Sequence, residues 1–213
     1  MTFAELKAEV FRRLEENPDT PAFWTEVDVA EALNDGYEEL SDASEFYERN
    51  AILNLLSNRT YYDLRCVLGD TQVLSFRTAF NSTTRRWMSP TDPRTLDTRV
   101  FQQWENITGE PEAIFTRGLW WLGVYPQAAT DTGNMKVYFS SIPPALVNED
   151  DKPGFPEEYH EALIEYAVGD LLSQDGETNK ALRHFEEYMK LQGAMMKAVD
   201  GRISLDRINT LRG

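Results

Sequence analysis

The chain has 213 residues, 41% of them hydrophobic, and a formal net charge of −15. That length suffices for one large domain or two small ones, and five Trp, nine Tyr and eleven Phe supply bulky side chains for a core or for contact surfaces. A chain this acidic does not hold nucleic acid through a general basic field, its single cysteine, Cys66, forbids an internal disulfide, and no apolar run nears the roughly 20 residues that span a bilayer.

Residues 2–16 predict a helix. Thr2 and Glu5 have the spacing of a capping box, and Phe3, Leu6, Val10 and Leu14 recur near a 3.6 period. The same stretch is acidic early and lacks a signal-peptide pattern, so no secretion signal is expected. Asn17-Pro18 ends the helix. A second begins at Thr25, with Asp28 three residues on, and carries the stripe Val29, Leu33, Gly36, Leu40, Ala43 and Tyr47. Gly36 inside it costs about 1 kcal/mol against Ala, so either a neighbouring helix packs closely there, which is the expectation, or the position is simply tolerated.

After Arg49 the period changes. Gln72–Arg77 alternates as a half-buried strand does, Asn81–Thr84 is a turn, and Arg85–Met88 is expected to return as its partner. Arg94–Trp104 has a helix-like pattern. Ala113–Thr116, Leu119–Tyr125 and Met135–Ser140 predict three more strands, with Arg117-Gly118 a tight turn between the first two and Thr132–Asn134 a turn before the third. Asn148–Lys152 is an acidic linker. Pro156 then suits the start of a helix, on which Tyr159, Leu163, Tyr166, Ala167 and Leu171 form an apolar face. Asp175-Gly176 stops it, and a last helix runs through Ala181, Phe185, Tyr188 and Met195.

The expected fold class is therefore α+β: a four-helix bundle built from the N- and C-terminal helix pairs, with an inserted β-rich module. The expected boundaries are 1–50 for the first pair, 51–147 for the module, 148–198 for the second pair and 199–213 for a C-terminal tail. Each pair alone buries too little surface, so the bundle must close across the insertion. Charge follows the same division. Residues 1–50 hold fourteen acidic and four basic groups, residues 51–147 eight and nine, and residues 148–213 fourteen and eight.

The wording of 155–188 carries more than periodicity. P-x-x-Y-H-x-A-L from Pro156, then Tyr166-Ala167, Asp175-Gly176-Glu177, Lys180-Ala181 and Glu186-Glu187-Tyr188 resembles the C-terminal half of phage head-to-tail adaptor proteins. Trp24-Thr25 followed by Ala32-Leu33-Asn34, Tyr37 and Leu40 is similar to that family's N-terminal pattern. Trp104-x-x-x-Thr108-Gly109-x-Pro111, before an aromatic hairpin ending in Tyr125-Pro126, resembles a third landmark. The resemblance implies a non-catalytic virion protein of the neck, assembled in the host cytoplasm. It implies a ring, of twelve copies to match the portal, around the DNA exit channel. Its partners are the portal, tail or nozzle proteins, further copies of itself and DNA in sequence-independent passage, with no membrane.

No residue pattern contradicts this. One Cys and two His, His160 and His184, fall short of a zinc site. There is no G-x-S-x-G elbow and no phosphate-binding glycine loop, so no cofactor is expected. Neighbouring acids such as Glu38-Glu39 point in different directions on a helix and read as a solvated face. An acidic enzyme with an unrecognised site, or a small regulatory binding module, remain the alternative classes. Three surfaces are candidates for contact. Arg202, Ile203, Leu205, Arg207, Ile208, Leu211 and Arg212 mix basic and apolar residues in a tail expected to dock on the portal. Glu38, Glu39, Asp42 and Glu45 are candidates to face the channel; the plainer reading is that they serve solubility. Trp87, Trp120 and Trp121 are candidates for intersubunit or tail contacts. Trp87 follows Arg85-Arg86, a cluster that either stacks on nucleic acid or guards a hairpin edge. Trp120 and Trp121 are neighbours in a hairpin, so one is expected in the core and the other outside.

Overall fold

The computed structural model of the protein describes all residues except 17–22, 70, 100–102, 119, 132 and 211–213. In chain order its helices are α1 (Phe3–Arg13), α2 (Glu26–Ser44), α3 (Arg65–Leu68), α4 (Pro93–Arg99), α5 (His160–Gln174) and α6 (Thr178–Thr210). Its strands are β1 (Glu48–Leu55), β2 (Tyr61–Asp63), β3 (Val73–Asn81), β4 (Arg86–Pro90), β5 (Thr108–Gly109), β6 (Ala113–Arg117), β7 (Trp121–Tyr125), β8 (Gln127–Ala128) and β9 (Gly133–Ser141). They form two compact units, Met1–Tyr47 with Ile142–Gly213, and Glu48–Ser141.

In the helical unit both N-terminal caps form as their sequences dictate. The Thr2 and Thr25 side chains accept from the N–H of Glu5 and Asp28, whose carboxylates accept in return from the cap N–H groups. α2 ends at Glu45, which adopts φ 49°, so Tyr47 leaves the helical stripe. Helix α5 is the centre. It packs on α1, α2 and α6 and buries Ala162, Leu163, Ile164, Ala167, Val168 and Leu171. These residues surround the helix instead of forming one stripe, which suits an inner helix. Close approach at Gly36 is confirmed: a Cβ there would lie 2.8 Å from Cδ1 of Tyr166. Asp175 caps α5 and Gly176 turns the chain at φ 84°.

The second unit holds a large curled sheet of seven strands in the order β1-β9-β3-β4-β6-β7-β2. All neighbours are antiparallel except β4 and β6. β5 and β8 pair separately. The sheet has its own core, including Leu53, Leu55, Tyr62, Met88, Val137 and Phe139. A smaller cluster joins Leu96, Trp104 and Phe115.

This corrects the expected fold class. The protein is α+β, but not a four-helix bundle with a small inserted module. The β part is a large curled sheet that closes a core of its own. Around α5 the helices pack on a central element, not as two equivalent pairs. The sequence pattern under-weighted the sheet at β1. There Ile52 and Leu53 stand side by side as apolar residues, yet Ile52 points outward at 61% exposure and Leu53 inward, so alternation was masked. Trp104 ends up in a single 3-10 turn, separate from α4. The expected Asn17-Pro18 break and the start of the Leu119 strand lie outside the described residues.

Candidate contact surfaces

α2 carries acids along one side. Glu31, Asp35, Glu38, Glu39 and Asp42 are exposed, and Glu45 is half-buried at the C-cap. Spacings of three and four residues place Glu31, Asp35, Glu38 and Asp42 on one continuous face. Of the expected channel group, Glu38, Glu39 and Asp42 therefore share an exposed helical surface, while Glu45 belongs to the turn that ends it. Phe23 and Val27, each 62% exposed, stand near the start of this helix, and Phe23 packs edge-on against Trp24 at 4.7 Å.

α6 is continuous to Thr210. The stretch from Val199, expected as a separate tail, thus begins within this helix. Arg202, Ile203, Leu205, Arg207 and Ile208 lie on its last turns, and Leu211 and Arg212 lie outside the described residues. Its inner side buries Ala181, Tyr188 and Met195. Its outer side exposes Leu182 (54%), Met189 (65%) and Met196 (40%).

On the sheet, Ile52, Lys136, Phe80 and Trp87 occupy one row across β1, β9, β3 and β4. Trp87 is 46% exposed and lies 5.2 Å from the Phe80 ring and 5.5 Å from Tyr138. Lys136 Nζ sits 5.0 Å over the Tyr138 ring. β4 pairs with β3 at Arg86, Trp87 and Met88 and with β6 only at Ser89 and Pro90; Arg86 lies 3.6 Å from Glu110. Trp120 and Trp121, at the turn into β7, are both exposed at 37% and 41%. Neither enters the core, because Leu122 and Val124 take that role.

The titratable groups inside the helical unit are engaged with one another in hydrogen bonds and ion pairs. Arg13 donates to Glu9, Glu161 and Glu165, the last at 2.5 Å. Burial works against its charge, but the hydrogen bonds to Glu161 and Glu9 outweigh that and raise its pKa. Glu9 is held down at about 2, chiefly by its hydrogen bond from Arg12. His184 Nδ1 meets the other oxygen of Glu165 at 2.7 Å. His160 is buried between the Met1 amine, 2.9 Å from Nδ1, and the Phe155 carbonyl, 3.1 Å from Nε2. Burial pushes its pKa down, favouring the neutral ring. Lys7 bridges Glu26 and Glu149. Among the described residues no group of three or more His, Cys, Asp or Glu is placed to hold a metal ion, and no helix is long and apolar enough to cross a membrane.

Ile52, Phe80, Tyr138, Leu182, Met189 and Met196 were not singled out by sequence. For the α6 residues a signal exists: they recur every seven positions, beside an inner set that does the same. Exposed aromatic and apolar side chains gathered in this way make these faces candidate contact surfaces. The chain matches the family described as SU10 adaptor protein over residues 1–210. It belongs to that family, in agreement with the resemblance to phage head-to-tail adaptors. No curated protein matches the chain.

Proposed function

We propose that this protein is a structural subunit of the virion neck that closes into a twelve-membered ring beneath the portal and presents a platform to tail proteins. The observation that carries the reading is membership of an adaptor family across nearly the whole chain. The distribution of charge supports it. The helical unit holds twenty-seven acidic and eleven basic residues, net −16, and the sheet unit nine and ten, net +1. Acidic subunits repel one another, so a ring needs apolar and locally complementary faces, and such faces are present on α6 and on the sheet. A conduit walled by acidic subunits offers DNA few cations in exchange for its condensed counterions, so the genome slides past it. The C-terminal stretch 199–213, with its basic residues Arg202, Arg207 and Arg212, is the proposed portal contact. The experiment mixes the purified full-length chain with isolated portal rings of the same phage and images the products by cryo-electron microscopy. A twelvefold collar on the portal is the expected result. Its absence, with the chain remaining monomeric, refutes the ring. Deleting residues 200–213 abolishes portal binding if the docking assignment holds; undiminished binding refutes it.

A further inference from the structure

The exposed side of α6 is organised in sevens. Leu182, Met189 and Met196 are exposed and follow one another at that interval. Arg183, Lys190 and Lys197, each one position on, are exposed as well and form a parallel basic row. At 1.5 Å per residue each row is about 21 Å long. Seven residues is close to two helical turns, so each row stays on one side of the helix with little drift. Two exposed acids, Glu186 and Asp200, fall between the lines of the two rows, and Glu187 pairs with Lys190 at 2.5 Å. The face is thus an apolar seam with a basic flank, in a unit of net −16.

Its complement is on the same unit. On α2, Asp35 and Asp42 are seven apart, and so are Glu31 and Glu38. Exposed Phe23 and Val27 stand at the head of these acids. We infer that α6 of one subunit docks along α2 of the next, its basic row against the acids and its apolar seam against Phe23, Val27 and the aliphatic stems of the glutamates. The two surfaces differ, so the contact is heterologous and propagates from copy to copy until rotation closes it. The inference rests on the ring proposed above and names the surfaces that make it. Glu38 and Asp42, expected from sequence to face a channel, face a neighbouring subunit here.

The test is a charge swap in the full-length chain. One variant carries Arg183→Glu, Lys190→Glu and Lys197→Glu; the other carries Asp35→Lys, Glu38→Lys and Asp42→Lys. All six positions are exposed, and circular dichroism checks that each variant is folded. Mass photometry reads assembly of each protein, alone and on portal rings. Wild type forms rings. Each variant by itself associates at least tenfold more weakly. An equimolar mixture of the two, and a single chain carrying all six changes, both regain rings. Variants that assemble as wild type does, or a swap that fails to restore assembly, overturn the contact while leaving the ring intact. A wild type that stays monomeric even on the portal overturns the ring reading itself, and the contact with it.

Discussion

Replacing Gly123 by Ala tests the packing of the sheet unit at its tightest point. Gly123 on β7 is paired with Phe115 on β6. A Cβ at 123 would lie 2.1 Å from Cε2 and Cζ of the Phe115 ring and 2.7 Å from Cδ2. Carbon atoms favour about 3.5–4.0 Å, so the ring must move by more than an ångström. It has little room, because Phe115 is 3% exposed and is held edge-on by Trp104 at 5.2 Å and Tyr61 at 5.9 Å. Overpacking of this kind costs about 1–3 kcal/mol. Loss of glycine's freedom in the unfolded chain returns about 0.4–1 kcal/mol. The expected net loss is about 1.5 kcal/mol, which for a unit of this size lowers Tm by about 6–12 °C. Urea unfolding followed by tryptophan fluorescence measures it, since Trp87, Trp104, Trp120 and Trp121 all lie in this unit. The control is Phe115→Leu, which removes the obstructing ring. The double variant is expected to be more stable than the sum of the single losses by about 1 kcal/mol or more. A Gly123→Ala protein within about 0.5 kcal/mol of wild type, or strictly additive losses, refutes the steric argument.

Two further outcomes concern the helical unit. Arg13→Met leaves the largely buried Glu165 without its strongest partner and is expected to destabilise that unit by about 3 kcal/mol, read by chemical denaturation; adding Glu165→Gln recovers part of the loss, and no recovery contradicts the assignment. Glu9 has its folded pKa depressed to about 2, so its contribution is fully present above the ordinary carboxylate value and fades as pH falls toward 2. Stability curves of wild type and Glu9→Gln therefore converge in acid, and a constant gap between them from pH 6 to pH 2.5 argues against the pair.

Local chemistry made parts of the fold legible. The two capping boxes, the Asp175-Gly176 stop and the close approach at Gly36 follow from single residues whose backbone or hydrogen-bonding needs are specific. The hairpin of β3 and β4 follows from alternation and a turn signal. What escaped was anything decided by distant partners. β1 reads poorly because Ile52 faces outward, and β2 is three residues long and owes its place to pairing with β7. Trp120 and Trp121 follow strand alternation only if the strand includes both, and β7 starts at Trp121. Of the contact surfaces, the acids of α2 were visible as a charge pattern. The seam of α6 was hidden because Leu182, Met189 and Met196 have the same chemistry as the buried Ala181, Tyr188 and Met195 next to them; only packing on α5 shows which set is left outside.

The division of the chain between its two units has a consequence for synthesis. The sheet unit is one uninterrupted segment, 48–141, whose first and last strands pair with Glu48 opposite Ser140. The helical unit is split, and Arg13 must wait for Glu161 and Glu165 about 150 residues later. On the ribosome the sheet can therefore complete itself while α1 and α2 still lack the helix they pack against. The apolar surface they turn toward α5 stays uncovered until the final third of the chain emerges, at about 5–20 residues per second a delay of about 6–25 seconds. During that interval the dense negative charge of the first 50 residues gives the nascent chain a means of staying apart from its own copies.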